Sequence, residues 1–290
     1  MTQLLKKIIK KTPFYAPLRN LRSRGESNLD ALDVYVLKYP EDQNILDVFK
    51  GEWSSEVPNN LITKPGKAKL FDDARVNWAE DSLGSFAGRN ILELGPLEGG
   101  HSFMFQEKKA KKVTAIEANS RAFLKCLCVK EIYKLNNIEF KLGDFMAFLR
   151  KDHSKYDMVS ASGVLYHMED PVELIKLISK VTDRVHFWTQ YYDKEIVMNN
   201  PGLSFKFQPM STINYDGESY EYSTQSYKDS LGWSGFCGGP QPVSKWLTRG
   251  SIIKALKKYG FVDITIGFDT PEHPNGPAFA ICATKKTTSL

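Results

Sequence analysis

Residues 91–102 read ILELGPLEGGHS, an apolar run that ends in a loop containing Gly95, Gly99 and Gly100. A glycine loop between a strand and a helix lets the backbone approach a ligand and directs helix N–H groups toward it. The fingerprint of a dinucleotide site would need glycines at 95, 97 and 100, and Leu97 breaks it. The stretch therefore predicts a strand and a ligand loop, with a ligand other than a dinucleotide.

The segments on either side of this loop follow a regular alternation. Apolar segments of strand length alternate with amphipathic segments of helix length, and the five strands predicted are NILELG, KVTAIEA, IEFKLGD, YDMVSASG and RVHFWTQ. This order predicts a Rossmann-like, doubly wound α/β sheet with helices on both faces and ligands beyond the carboxyl ends of the strands. FVDITIGFD and PAFAICATKK close the chain without a helix between them, which predicts an antiparallel hairpin at the sheet edge.

The alternation also divides the chain. We expect residues 1–85 to form a helical N-terminal extension with a basic tail, and residues 86–290 to form the α/β domain. From about residue 191 to about residue 243 the alternation stops, and the composition shifts to Tyr, Ser, Asn, Gly, Phe and Trp. A connection of this length inside a compact domain predicts an inserted lid or a small subdomain.

The charge of the chain is unevenly distributed. Of its 39 basic residues, seven lie in residues 1–24, which hold no acidic residue; the other 32 stand against 34 acidic residues, so the rest of the chain carries −2. A mildly acidic body argues against extensive nucleic-acid contact by the core, although the basic tail leaves such contact open. The four cysteines lack the spacing of metal ligands, so no metal site is predicted.

Three acidic residues stand at successive predicted strand ends. Glu93 precedes Gly95 by two residues, and a carboxylate there would repel a pyrophosphate but attract the sulfonium and ammonium groups of S-adenosylmethionine. Glu117 ends the second strand, where a carboxylate can accept hydrogen bonds from both ribose hydroxyls. Asp144 ends the third strand, where it can accept from an adenine amino group while Phe145 stacks on the base.

The pattern Glu93-x-Gly95-x-x-x-Gly99, followed by Glu117 and Asp144, resembles the class I S-adenosylmethionine-dependent methyltransferases over about residues 88–190. The resemblance implies S-adenosylmethionine as the cofactor. The residues predicted to bind it are Glu93, Gly95, Pro96, Gly99, Glu117, Asp144, Phe145 and Ser162. The segments YDMVSASGVLYHMEDPVELI and IIKALKKYGFVDITI are also similar to those of the tRNA wobble-uridine carboxymethyltransferase and its small-molecule relatives, which differ in acceptor.

The acceptor side is predicted from residues that follow the fourth and fifth strands. His167 can act as a general base toward an acceptor hydroxyl or amine, because an imidazole titrates near neutrality. The alternative is that His167 only shapes the pocket, since methyl transfer can proceed by proximity and orientation. Tyr191 is the second residue predicted to take part in catalysis. Tyr166, His167, Tyr192 and Trp233 are predicted to contact the acceptor.

These features together predict a cytoplasmic methyltransferase that acts on a hydroxyl or amine of a small molecule or glycan precursor. Leu4, Leu5, Ile8 and Ile9 form an apolar stripe opposite lysines, which predicts either a short solvated helix packed on its own domain or contact of residues 1–24 with the inner face of a membrane. One alternative is a tRNA- or RNA-modifying methyl- or carboxymethyltransferase. A second is a non-catalytic protein that keeps the fold.

Overall fold

The computed structural model describes residues 35–58, 66, 68–227, 230–231 and 238–286. The basic tail at residues 1–24 lies outside these ranges. Two compact units meet in the sequence between Phe49 and Lys50, and the described part of the first contains helix α1 (Asp42–Asp47). The predicted domain boundary after residue 85 stays a prediction.

The second unit holds all the later helices and strands. Its described helices are α2 (Ala74–Leu83), α3 (Gly100–Glu107), α4 (Ser120–Ile132), α5 (Phe145–Lys151), α6 (Pro171–Val181), α7 (Lys194–Met198), α8 (Pro201–Ser204) and α9 (Arg249–Lys258). Its described strands are β1 (Asn90–Leu94), β2 (Lys112–Glu117), β3 (Ile138–Leu142), β4 (Met158–Ser162), β5 (Arg184–Gln190), β6 (Ser211–Tyr215), β7 (Glu218–Ser226), β8 (Val243–Leu247), β9 (Phe261–Thr270) and β10 (Ala278–Lys285). No helix in these ranges is long and apolar enough to cross a bilayer.

Seven strands form the main sheet, in the order β3-β2-β1-β4-β5-β10-β9. β1 to β5 are parallel, which confirms the predicted doubly wound sheet. From β1, the chain first adds β2 and β3 on one side and then crosses to add β4 and β5 on the other side. The loop after β1 therefore lies at the switch point where such sheets bind ligands.

The last two strands form the predicted antiparallel hairpin at the sheet edge. β10 also pairs with β5, so β10 joins the hairpin to the sheet and β9 forms the outer strand on that side. Burial explains this order, because Ala278–Ala283 is buried throughout whereas most of β9 is exposed or half-buried. A continuous apolar run is typical of a strand covered on both faces.

The alternation of side chains along each strand separates two faces of the main sheet. On one face, apolar residues such as Leu92, Val159 and Phe187 join α5, α6 and α9 in the main core cluster. The intervening residues on β1 and β5 point the other way: Glu93 contacts α3, and His186 packs against Trp78 of α2. The second face therefore carries polar groups under α2 and α3.

The segment between β5 and α9 is a small subdomain with its own sheet. Beyond α7 and α8, the strands β6, β7 and β8 form an antiparallel three-stranded sheet, called the insert sheet below. Its strand β8 contacts the 3₁₀ turn Leu165–His167 that follows β4, and the Lys245 N–H donates to the Met168 carbonyl at 2.8 Å. This contact brings the insert sheet to the carboxyl ends of the main-sheet strands.

Candidate functional site

The loop after β1 has the backbone shape of a glycine-rich loop despite its leucine. Gly95, Leu97 and Gly99 all have positive φ, at 67°, 55° and 77°. A Cβ on Gly95 would lie 2.6 Å from Cγ1 of Val164, so no larger residue fits there without a shift. Leu97 adopts a left-handed conformation that usually costs a residue with a side chain about 1–2 kcal/mol. The loop therefore has the backbone shape of a glycine-rich loop, although Leu97 occupies the position of the central glycine.

Glu117 at the end of β2 holds this loop in place. Its Oε2 accepts a hydrogen bond from the Leu97 N–H at 3.1 Å, and its Oε1 accepts from the Asn119 N–H at 2.8 Å. Burial raises the pKa of the Glu117 carboxyl, and these backbone donors oppose the rise. Each carboxylate oxygen can accept more than one hydrogen bond, so both oxygens retain capacity for a ligand hydroxyl.

Glu93 near the end of β1 is buried behind the same loop. Ser102 of α3 donates a short hydrogen bond to its carboxylate. Burial raises the pKa of the Glu93 carboxyl, the charge of Glu117 adds to the rise, and the neighbouring His101 and Ser102 oppose it. A buried acid of this kind gains from a cationic ligand group, which would restore the favourable interactions that the carboxylate loses on leaving water.

Asp144 and Phe145 lie where the third acid was predicted, at the end of β3. Asp144 is exposed and caps α5, because its Oδ1 accepts from the Met146 N–H at 2.7 Å. Its Oδ2 has no partner among the described residues. Phe145 is half-buried against the main core cluster. The other predicted cofactor contacts follow β1 and β4: Pro96 is buried within the loop, and Ser162 is half-buried at the end of β4.

Aromatic side chains gather beside the ends of β4 and β5. The rings of Tyr166 and His167 lie 4.1 Å apart, and Tyr166 also meets Trp188 of β5 at 6.0 Å and Trp246 of β8 at 5.7 Å. Tyr227, just after β7, adds a fifth ring, 5.9 Å from that of His167. These five residues, called the aromatic cluster below, bring residues of the main sheet and of the insert into one place.

His167 is held by a hydrogen bond to the insert. Its Nδ1 lies 2.6 Å from the Tyr227 hydroxyl. Burial lowers the pKa of the His167 imidazole to about 4, so the ring is neutral near pH 7. A neutral imidazole carries one proton and one free lone pair, which is the form that can accept a proton or a hydrogen bond from an acceptor group.

Tyr191 and Tyr192, which follow β5, belong to different core clusters. Tyr192 belongs to a small core cluster with Trp246, and its ring lies 5.7 Å from that of Phe207. Tyr191 belongs instead to the main core cluster, where its ring packs edge-on against Phe279 at 5.2 Å and burial raises the pKa of its hydroxyl. The structure therefore does not bring Tyr191 to His167, because successive residues of an extended chain point in opposite directions.

Trp233, the remaining residue predicted to contact the acceptor, lies outside the described residues. Across the described ranges, no group of three or more His, Cys, Asp or Glu side chains could hold a metal ion.

Two ion pairs near the loop, one buried and one partly buried, were not predicted. Glu98 is fully buried, accepts from the backbone N–H groups of Ser54 and Ser55 at 2.8 and 3.0 Å, and pairs with Lys125 at 3.1 Å. These partners lie between 27 and 44 residues away, so no local sequence signal indicates them.

The second pair joins Asp73, at the start of α2, to Arg75. Oδ2 of Asp73 also lies 2.8 Å from Nε2 of His101. Burial raises the pKa of the Asp73 carboxyl, but the hydrogen bonds and charges of His101 and Arg75 outweigh it and hold this pKa well below its usual range. The sequence indicates a helix in this region, but not that its first turn faces α3.

Comparison with known proteins agrees with this architecture. Residues 85–223 match the family model described as a methyltransferase domain. The N-terminal domain of EvdMO1, solved with SAH (S-adenosylhomocysteine) bound, is 19% identical and superposes with a TM-score of 0.64 over 84% of this chain and 95% of that domain. No curated protein sequence matches the chain.

Two further solved structures share the fold at lower similarity. An S-adenosylmethionine-dependent methyltransferase from Mesorhizobium loti is 18% identical, with a TM-score of 0.52 over 75% of this chain and all of that chain. The 1,6-didemethyltoxoflavin-N1-methyltransferase of Burkholderia thailandensis is 12% identical, with a TM-score of 0.50 over 76% of this chain and 80% of that chain. The more specific likeness to the tRNA wobble-uridine enzyme stays a prediction. By their family match, residues 85–223 are a methyltransferase domain, and the fold of the chain is that of the S-adenosylmethionine-dependent methyltransferases.

Proposed function

We propose that this methyltransferase acts on a hydroxyl or amine of a small molecule or glycan precursor, held in a closed pocket at the aromatic cluster. The observation that carries the proposal is the 2.6 Å hydrogen bond between His167 and Tyr227, which joins the turn after β4 to the insert. The contact holds the insert against the end of β4, and an insert held over the strand ends can exclude water from a small-ligand site. The acidic balance of the chain beyond residue 24 also favours such an acceptor over a nucleic acid.

On the cofactor side, we assign three acids to three parts of S-adenosylmethionine. Glu93 faces the ammonium and sulfonium groups, Glu117 accepts from the ribose hydroxyls, and Asp144 accepts from the adenine amino group. The positive φ angles of Gly95 and Gly99, and the unused capacity of both Glu117 oxygens, support this assignment. When bound, the cofactor supplies a methyl group on a positively charged sulfur.

On the acceptor side, we propose that His167 orients the acceptor and takes up its proton. In this arrangement Nδ1–H donates to the Tyr227 oxygen, and Nε2 accepts a hydrogen bond from the acceptor hydroxyl or amine. As the acceptor atom gains the methyl group, its proton passes to Nε2. The pKa of about 4 makes His167 a weak base, so we expect orientation to contribute more to the rate than proton transfer.

The test is a labelled-methyl transfer assay against sugars, sugar nucleotides, heteroaromatic metabolites and tRNA. The sugar arm is motivated by the EvdMO1 domain, which was also solved in the presence of SAH and D-fucose, and the heteroaromatic arm by the 1,6-didemethyltoxoflavin-N1-methyltransferase, solved with 1,6-didemethyltoxoflavin bound. We expect transfer to a small acceptor that is insensitive to salt. His167→Gln should lower this transfer about 10- to 100-fold, whereas exposed His153→Gln should leave it unchanged.

One outcome would replace this proposal with its alternative. Transfer to tRNA that weakens steeply with salt and is lost on removal of residues 1–24 would indicate an RNA-modifying enzyme. Tail removal that left small-molecule transfer intact but abolished binding to anionic lipid vesicles would instead support membrane contact by residues 1–24.

A further inference from the structure

We propose that Arg75 binds the carboxylate of the cofactor's amino-acid portion, an inference that rests on the function proposed above. Arg75 lies in the first turn of α2, and its guanidinium makes paired hydrogen bonds with the carboxylate of Asp73, the residue that caps this helix. Nε donates to Oδ1 at 2.9 Å, and Nη2 donates to Oδ2 at 2.5 Å. Nη1 has no hydrogen-bond partner among the described residues, so two N–H groups of a fixed guanidinium remain available to a ligand.

The position of Arg75 connects the two halves of the site. Its guanidinium lies 4.6 Å from the centre of the Trp188 ring, and Trp188 meets Tyr166 of the aromatic cluster at 6.0 Å. On the other side, Asp73 contacts His101, which precedes the serine that donates to Glu93. Arg75 therefore stands between the acid assigned to the cofactor's ammonium group and the cluster assigned to the acceptor.

The charges of the ligand match this arrangement. The amino-acid portion of S-adenosylmethionine carries an ammonium and a carboxylate on one carbon atom, and Glu93 can attract only the first. A guanidinium is the side chain best shaped to bind a carboxylate through paired hydrogen bonds. Asp73 is shared between Arg75 and His101, so its single charge does not belong to Arg75 alone. The Arg75 side chain is 21% exposed, which leaves it accessible.

The test compares two ligands that differ only in this carboxylate, S-adenosylmethionine and decarboxylated S-adenosylmethionine. Their dissociation constants are measured by isothermal titration calorimetry with the wild-type chain and with Arg75→Gln. We expect the substitution to weaken S-adenosylmethionine binding about 10- to 100-fold, the usual effect of losing a hydrogen-bonded charge pair, and to leave the decarboxylated ligand unaffected. The four dissociation constants form a double-mutant cycle, which isolates the free energy of the contact between Arg75 and the carboxylate.

Arg249→Gln provides a matched control. Arg249 also begins a helix, pairs with an aspartate (Asp269, 2.6 Å) and lies over an aromatic ring (Phe279, 5.3 Å), but it belongs to α9 on the other face of the main sheet. We expect it to change neither affinity.

Other outcomes would overturn the proposal in distinct ways. Equal weakening of both ligands would show that Arg75 only supports the site, and no weakening of either would remove Arg75 from it. If Arg75→Gln does not fold, Arg75→Lys replaces it in the same titrations. We then expect a smaller loss of affinity for S-adenosylmethionine and no loss for the decarboxylated ligand. A wild-type chain that binds neither ligand would refute the proposed cofactor site itself, which is a different result from intact binding insensitive to Arg75.

Discussion

The cofactor loop and the aromatic cluster lie at the same edge of the main sheet, yet their contacts span different distances in sequence. At the ends of β1 and β2, Glu117 bonds Asn119 and Leu97, which are 2 and 20 residues away. At the ends of β4 and β5, His167 bonds Tyr227, 60 residues away. The Glu117 contacts of the loop thus join neighbouring strands of one part of the sheet, whereas the contact within the cluster requires the insert to pack on the sheet.

The largest expected effect concerns the backbone of the loop. Gly95→Ala should destabilise the fold by about 2–4 kcal/mol, because it combines an unfavourable positive φ with a Cβ 2.6 Å from Val164 Cγ1. Gly88→Ala is the matched control, since Gly88 also has a positive φ (75°) but nothing within 4 Å of its Cβ. It should cost only about 1–2 kcal/mol. Urea denaturation measures both.

A double variant sharpens this test of the loop. If the contact with Val164 is responsible, Gly95→Ala should cost less in a Val164→Ala background than in the wild type. Equal costs for Gly95→Ala and Gly88→Ala would show that the loop is not closely packed against the turn after β4.

The second expected effect concerns the hydrogen bonds at the end of β2. Glu117→Gln should weaken S-adenosylmethionine binding about 10- to 100-fold, because the amide keeps the shape but loses the charge and one acceptor oxygen. Glu139→Gln is the control, since Glu139 lies on the adjacent β3, is paired with Lys112 and is half-exposed. Calorimetric titration of both variants gives the comparison, and equal affinities would place the ribose elsewhere.

The third expected effect, the smallest over any single pH unit, concerns the pH dependence of the aromatic cluster. The folded pKa of His167, about 4, lies below the ordinary value of 6.5, so the unfolded chain binds the proton more readily between these values. Stability should therefore fall as pH drops from 6.5 toward 4, with a contribution from this residue of up to about 1.4 kcal/mol per pH unit. His167→Gln should flatten this part of the profile.

Exposed His153→Gln should keep the wild-type profile. Buried His186, whose pKa is lowered to about 3, contributes to the slope of every variant, so the difference between the two profiles is the quantity to compare. Parallel profiles for His167→Gln and the wild type would mean that the imidazole is solvated and the cluster open.

The contrast between loop and cluster also explains which predictions from sequence were confirmed. The parallel order of β1 to β5 follows from alternating apolar segments, a signal contained in each segment and its neighbours. The acids Glu93 and Glu117 could be placed near the loop because residues at successive strand ends meet at one edge of a parallel sheet. The position of β10 inside the sheet could not be placed, since either strand of a hairpin can pair with β5.

Local patterns in the sequence by themselves determined the parallel strands β1 to β5, the loop after β1 and the acids around it, because strand periodicity and chain direction leave few alternatives. Only the tertiary structure decided that Tyr191 enters the main core while Tyr192 faces the insert, that Tyr227 meets His167, and that Arg75 stands over Trp188. Each of these contacts joins elements far apart in sequence, and their geometry depends on how buried surfaces pack. Packing is a property of the whole folded chain, so no local pattern encodes it.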